Sequence, residues 1–199
     1  MSSGASTMKE IKDAMEAIHL VNECLEVAIL HCVSNYPTKI KEINLNCMQS
    51  IKKEFGVPVG FSDHTFGISA SILAVALGAE LIEKHFTLDK TLDGPDHALS
   101  TNPEELKDLV SGIKVAFEGR GNYDKIPVES KNLIAQIRRS IFVNKDLKKG
   151  TILSQDMLSI TRPVIGIEPK YYDDIIGKKL KYPISKNQPL KWSDIDDNK

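Results

Sequence analysis

The chain has 199 residues, of which 41% are hydrophobic and 27% are charged, a balance typical of a globular protein that buries a core. Its formal net charge is −1 and it has no long basic run, which argues against nucleic acid as a partner and favours a small-molecule substrate. No apolar stretch is long enough to span a membrane, and the three cysteines show no CxxC spacing, so we expect a cytoplasmic protein with free thiols.

The first part of the chain alternates between helical and strand patterns. Helical spacing predicts an amphipathic helix from Met8 to Leu25, capped by Ser6 or Thr7, and a β-prone run follows from Val27 to Leu30. Further helices are predicted at 43–55, 68–77 and 103–117, and further strands at 57–61 and 79–82. The order αβαβαβα predicts a parallel sheet with helices outside it.

The pattern changes after Gly119, where a turn-rich break leads into a linker with one helical segment. Short β-prone pieces then form a second module that begins near Ser140. Within this module, Asp146–Leu153 resembles Pro183–Leu190, which predicts two similar hairpins in a small β module near the lower size limit for an independent core.

Two histidines follow the neighbouring predicted strands 57–61 and 79–82. His64 stands in the run Ser-Asp-His-Thr, and His85 stands in the run Glu-Lys-His-Phe-Thr. Because parallel strands joined by a crossover helix end on the same side of the sheet, both imidazoles can point into one cleft. Neutral imidazoles suit a divalent metal, although a lone strand-end histidine is more often a structural residue. We expect Asp63 to have a structural role and Lys84 to point away from the cleft.

Two further motifs are the Gly-Pro-Asp-His run at 94–97 and the Tyr-Pro pair after Cys32. With these motifs the chain resembles the sialic acid synthase family, whose members condense phosphoenolpyruvate with an N-acylmannosamine or a related amino sugar. The resemblance implies an α/β fold: the C-terminal half of a (β/α)8 TIM barrel at 1–120, a linker at 121–139, and a small β-rich SAF (antifreeze-like, β-clip) domain at 140–199. Since a complete barrel needs about 250 residues, we expect a fragment or a truncated gene model that is inactive alone.

The resemblance also implies roles for individual residues. His64 and His85 would bind a divalent ion, with Mn²⁺ expected and Mg²⁺ or Co²⁺ as options, that polarises the sugar's aldehyde. The implied substrate-binding residues are Ser2 and Ser62 at the phosphate, Ser34 at a position that contacts phosphoenolpyruvate, Tyr36 and Asp96 at the amino sugar, and Arg162 at the N-acyl group in the partner subunit's site. A domain-swapped homodimer is therefore implied.

Several alternatives remain open at this stage. N-acetylmannosamine is the expected sugar, but legionaminic and pseudaminic acid synthases and a synthase using a 6-phosphate sugar share these motifs. A second class is a noncatalytic carbohydrate-binding or dimerising protein. A third is a metal-dependent hydrolase, for which Glu83 could lie on the same face as His85. Tyr36 could be a loop-packing residue, Asp96 could only shape a turn, and Arg162 could be a surface residue.

Overall fold

A computed structural model of the chain describes residues 1–196. The chain divides into two compact units, Met1–Tyr123 and a second unit that begins at Asp124. Each unit contains its own cluster of buried hydrophobic side chains. Among the residues that the structure describes, no helix is both long and apolar enough to cross a membrane.

The first unit alternates helices and strands in the predicted order. Its elements are α1 (Met8–Val21), β1 (Ile29–Cys32), α2 (Cys47–Phe55), β2 (Val59–Asp63), α3 (Ser69–Ala76), β3 (Ile82–Lys84) and α4 (Pro103–Arg120), with a short 3-10 turn at Ile40–Glu42. The strands form a parallel sheet in the order β1-β2-β3. The predicted α/β class and the parallel sheet are therefore confirmed.

All three strands begin two or three residues later than predicted. Val27 and Val57 are partly buried against the core, and Ala79 is buried in it. None of the three residues belongs to a strand. Pro58 also has no N–H group, and its carbonyl accepts from Ile29 N at 3.0 Å. The hydrophobic pattern therefore located the buried residues, whereas pairing with the neighbouring strand decides where each strand begins.

Side-chain caps define where two of the helices begin. Thr7, one of the two predicted caps of α1, accepts from Glu10 N, and the Glu10 carboxylate accepts from Thr7 N in return. The same reciprocal arrangement at the start of α4 joins Asn102 and Glu105. α1 ends earlier than predicted, because Asn22 takes an extended conformation with φ −153° and ψ 101°.

The second unit contains the helix α5 (Lys131–Ile137), the antiparallel strands β4 (Ser140–Val143) and β5 (Leu158–Thr161), and the one-turn helix α6 (Tyr172–Ile175). The similar segments 146–153 and 183–190 are not the two predicted hairpins, because they pair with each other. Leu147 and Ile184 exchange two backbone hydrogen bonds of 2.8 and 2.9 Å. The matching positions Gly150 and Asn187 both have positive φ, of 80° and 65°. The hairpin prediction was wrong because sequence similarity does not say which segment a strand pairs with.

Candidate active site

The two predicted metal-binding histidines lie directly after β2 and β3, at the carboxyl edge of the parallel sheet. The centroids of the His64 and His85 rings are 5.4 Å apart, and the ring planes are inclined by 75°. β2 and β3 pair in register, with Ser62 opposite Glu83 and Asp63 opposite Lys84. Because each histidine directly follows one of these two paired strands, the register places the two imidazoles side by side.

A backbone hydrogen bond determines which nitrogen of His64 carries the proton. His64 Nδ1 lies 2.8 Å from the carbonyl oxygen of Val33. Since a carbonyl oxygen can only accept, Nδ1 must donate, and Nε2 of the neutral ring keeps its lone pair. Cys32 Sγ lies 3.8 Å from the same Nδ1 and adds to the packing around the ring. His64 is thus a buried imidazole whose unprotonated Nε2 can bind a metal ion or accept a hydrogen bond.

Tyr36 covers both imidazoles. Its ring stacks on His64 with centroids 4.1 Å apart and meets the edge of His85 at 5.6 Å. Desolvation raises the pKa of the Tyr36 phenol above its ordinary value of 10.0, and the nearby Cys32, Asp96 and Glu83 act in the same direction. Tyr36 is therefore a protonated hydrogen-bond donor at neutral pH, and its side chain remains half-exposed.

Asp96 completes the exposed side of this group. Its Oδ2 atom lies 3.6 Å from His85 Nδ1, slightly beyond hydrogen-bond distance, and its side chain is half-exposed. The predicted site residue Asp96 thus adjoins His85, where a small movement would allow it to accept a hydrogen bond from the ring.

Ser62 and Glu83 lie on the same face of the sheet as the histidines. Ser62 Oγ donates to Glu83 Oε1 at 2.7 Å and lies 3.4 Å from His64 Nε2. Because side chains alternate along a strand, Glu83 shares this face with His85. The sequence analysis considered Glu83 only for the hydrolase alternative. Its spacing of two residues from His85 is the signal that could have added Glu83 to the predicted site residues.

Asp63 and Lys84 lie on the opposite face, as alternation predicts. Asp63 Oδ1 accepts from Thr65 N at 2.8 Å, and Asp63 Oδ2 accepts from Ser71 Oγ at 2.6 Å. Lys84 Nζ donates to the carbonyl oxygen of Thr65 at 2.8 Å and lies 3.2 Å from Asp63 Oδ2. Asp63 therefore has the structural role expected of it, although it holds a loop and a serine hydroxyl rather than capping backbone groups of α3.

The remaining predicted substrate residues are Ser2, Ser34 and Arg162. Ser2 forms a single parallel bridge with Leu30 at the sheet edge. Ser34 helps to line a cavity of about 620 Å³ between α1, β1 and α2, where a Cβ atom on Gly4 would collide with the Ser34 hydroxyl. Arg162 belongs to the second unit, where its Nε donates to the carbonyl oxygen of Ile137 at 2.8 Å.

The donor set at the histidines fits a divalent ion with two protein ligands. His64 offers an unprotonated Nε2, with Ser62 Oγ 3.4 Å away, and His85 lies beside it with a carboxylate near its Nδ1, the arrangement that commonly orients metal-binding imidazoles. Within residues 1–196 no group of three or more His, Cys, Asp or Glu side chains could surround one ion.

Comparison with known proteins places these features in a family. Residues 1–125 match the NeuB family, and residues 138–196 match the SAF domain. The chain is 40% identical over 98% of its length to an N,N'-diacetyllegionaminic acid synthase of Legionella pneumophila, covering 56% of that protein. It is 39% identical over 98% of its length to a pseudaminic acid synthase of Helicobacter pylori, covering 58% of that protein.

A solved structure supports the same assignment. An N-acetylneuraminic acid (sialic acid) synthetase from Leptospira borgpetersenii superposes with a TM-score of 0.61 at 38% identity, over 66% of this chain and 46% of the other. The chain spans 56 to 58% of the length of the two curated relatives. The resemblance to sialic acid synthases that the motifs indicate is confirmed, and the chain belongs to the NeuB family.

Proposed function

We propose that this chain carries part of the active site of a synthase that condenses phosphoenolpyruvate with an N-acylated amino sugar and releases phosphate. The observation that carries the proposal is the unprotonated Nε2 of His64 beside His85, in a ring oriented by its hydrogen bond to Val33, in a chain of the NeuB family. In this proposal, residues 1–120 are the C-terminal half of a (β/α)8 barrel and 140–199 are the SAF domain.

The reaction joins two carbon atoms and breaks one C–O bond. The C3 carbon of phosphoenolpyruvate attacks the aldehyde carbon of the sugar, water adds at C2, and inorganic phosphate leaves with the bridging oxygen. Collapse of the C2 centre leaves a ketone. Of the two protons of the added water, one protonates the former aldehyde oxygen, which becomes a hydroxyl, and the other leaves with the phosphate. A divalent ion held by His64 and His85, with Mn²⁺ the expected metal, would supply Lewis acidity at the aldehyde.

The side chains around the histidines would orient the sugar. Tyr36 keeps its proton because its pKa is raised, so it can donate to a sugar oxygen. Asp96 can accept from a sugar hydroxyl, since its carboxylate is half-exposed beside His85. Both side chains are half-exposed beside the imidazoles, so a sugar bound at the histidines could contact them.

The serines would hold phosphoenolpyruvate. Ser62 donates to Glu83 in the structure, so contact with phosphate requires its hydroxyl to rotate away from that carboxylate. Ser2 lies at the start of the chain, and Ser34 lies in the segment after β1. In this proposal both hydroxyls contact phosphoenolpyruvate. Arg162 would recognise the N-acyl group in the partner subunit of a domain-swapped homodimer.

The similarity to known relatives leaves several related amino sugars as candidate substrates. The relative named for legionaminic acid and the relative named for pseudaminic acid are almost equally similar to this chain, at 40% and 39% identity. N-acetylmannosamine and the precursors of those two acids are therefore equal candidates. Phosphate release from phosphoenolpyruvate should be measured with each sugar, on the 199-residue chain and on the longest reading frame that contains it. Sugar binding with no phosphate release from either product would favour a noncatalytic carbohydrate-binding protein.

The His85→Ala variant tests the site directly. We expect it to remove most metal-dependent phosphate release with little change in folding, because His85 is partly exposed at a strand end. The matched control is His19→Ala, which truncates an exposed histidine on α1 and should leave turnover unchanged. Unaltered turnover of His85→Ala at saturating substrate would contradict its role as a ligand.

A further inference from the structure

A buried ion pair lies directly beneath the two candidate metal-binding histidines. Asp63 precedes His64 in the chain, and Lys84 precedes His85. Lys84 Nζ lies 3.2 Å from Asp63 Oδ2, and the two side chains are only 3% and 0% exposed. This pair faces away from the cleft, so its charges are not presented to a substrate.

The ion pair fixes the backbone on both sides of His64. Asp63 Oδ1 accepts the N–H of Thr65, and Lys84 Nζ donates to the carbonyl oxygen of the same residue. Both backbone groups of Thr65 are thus held by side chains of the pair, one of them from the neighbouring strand. Since His64 lies between Asp63 and Thr65, its backbone has little freedom to rotate.

A buried ion pair is an expensive way to obtain stability alone. Desolvation of two charges offsets most of their attraction, and well-packed neutral side chains often stabilise a core equally well. An uncharged amide at position 63 could still accept from Thr65 N through its oxygen, and its NH2 group would then donate to Ser71 Oγ, the reverse of the bond that Asp63 accepts. What the pair adds is a defined geometry that joins the end of β2 to the end of β3.

We propose that Asp63 and Lys84 are positioning residues that hold His64 and His85 in the mutual orientation needed to bind a divalent ion. The proposal rests on the metal site of the proposed function. It predicts that the pair acts through the histidines and not through its own charge. It also explains why each histidine directly follows one member of the pair.

The charge-neutral double variant Asp63→Asn/Lys84→Met separates geometry from electrostatics. It leaves the net charge unchanged and leaves no unpaired charge in the core, whereas either single variant leaves one buried charge without its partner. We therefore expect the double variant to fold. Loss of a group that hydrogen-bonds a metal ligand typically weakens metal binding about 10–100-fold. Asp63 and Lys84 act one contact further away, through the backbone of Thr65, so we expect a loss of Mn²⁺ affinity of about 10-fold, at the lower end of that range. Binding is measured on the 199-residue chain by the electron paramagnetic resonance signal of free Mn²⁺, with far-UV circular dichroism to verify folding.

The matched control is Glu80→Gln/Lys52→Met, which removes an exposed ion pair of 2.7 Å with side chains 45% and 46% exposed. It makes the same kinds of change at a surface site and should leave Mn²⁺ affinity within about two-fold of the parent, because exposed pairs contribute little. A folded Asp63→Asn/Lys84→Met chain that binds Mn²⁺ as the parent does would overturn the positioning role.

A second readout works without any metal. Nitrogen-15 shifts of the His64 ring report its tautomer, which the contact with Val33 predicts to be protonated at Nδ1. We expect the double variant to lose this single tautomer, and an unchanged tautomer would count against the proposal. If the parent chain binds no Mn²⁺, the metal site of the proposed function fails, while the tautomer measurement still decides whether Asp63 and Lys84 position His64.

Discussion

Gly60 lies in the central strand two residues before Ser62, and a side chain at this position should disrupt the sheet beneath the candidate site. A Cβ atom on Gly60 would lie 2.5 Å from Leu30 Cδ2 and 2.7 Å from Leu81 Cβ, and closer still to the Leu81 carbonyl oxygen. Favourable contacts between carbon atoms lie at about 3.5–4.0 Å. Gly60→Ala therefore requires the backbone at Leu81 to move.

The cost of this movement can be estimated from the contacts that change. The Leu81 carbonyl accepts from Phe61 N at 2.9 Å, so displacing it weakens a hydrogen bond within the sheet. Overpacking of a core typically costs about 1–3 kcal/mol, and a lost backbone hydrogen bond adds about 0.5–1.5 kcal/mol. We expect Gly60→Ala to lower the free energy of unfolding of the first unit by about 2–4 kcal/mol.

Urea unfolding followed by circular dichroism at 222 nm measures this change, because the longest helices, α1 and α4, belong to the first unit. With a denaturant slope of about 2 kcal/mol/M, the midpoint should fall by about 1–2 M. The control is Gly119→Ala in α4, where a Cβ atom meets nothing within 4 Å. That change should stabilise the helix by about 0.5–1 kcal/mol. A Gly60→Ala midpoint equal to that of the parent would refute the reasoning.

Two further predictions concern single polar groups. Glu105 accepts from Lys90 Nζ and from Asn102 N, and these bonds, mainly the one from Lys90, lower the pKa of Glu105 below its ordinary value of 4.5. Glu105→Gln should therefore cost about 0.5–1 kcal/mol at pH 7. The difference should begin to shrink below pH 4.5 and be lost as the pH falls through the lower pKa of the folded chain. Urea midpoints at pH 7 and pH 3 measure this, and an equal difference at both would contradict it. Thr65 Oγ1 is buried with no hydrogen-bond partner within residues 1–196, so Thr65→Val should be neutral or stabilise the chain by up to about 1–2 kcal/mol. A clear fall in its thermal midpoint would show that the hydroxyl has a partner.

The sequence was most informative about element order, because periodicity reports burial. The helices and strands of the first unit appear in the predicted order, and Thr7 caps α1 as one of the two expected residues. Strand starts and the pairing within the second unit were not predictable. Segment 146–153 pairs with 183–190 through Leu147 and Ile184, which nothing in the local pattern specifies.

At the candidate site, the local pattern was enough to predict which side chains follow the strands and which face each occupies, because alternation along a strand is a local property. Tertiary structure alone decided the contacts between elements. The register of β2 and β3 brings Ser62 to Glu83 and Asp63 to Lys84, and the segment after β1 supplies the Val33 carbonyl that sets the His64 tautomer. Such contacts join residues 21 to 31 positions apart, and only the packing of strands and loops determines which of them meet.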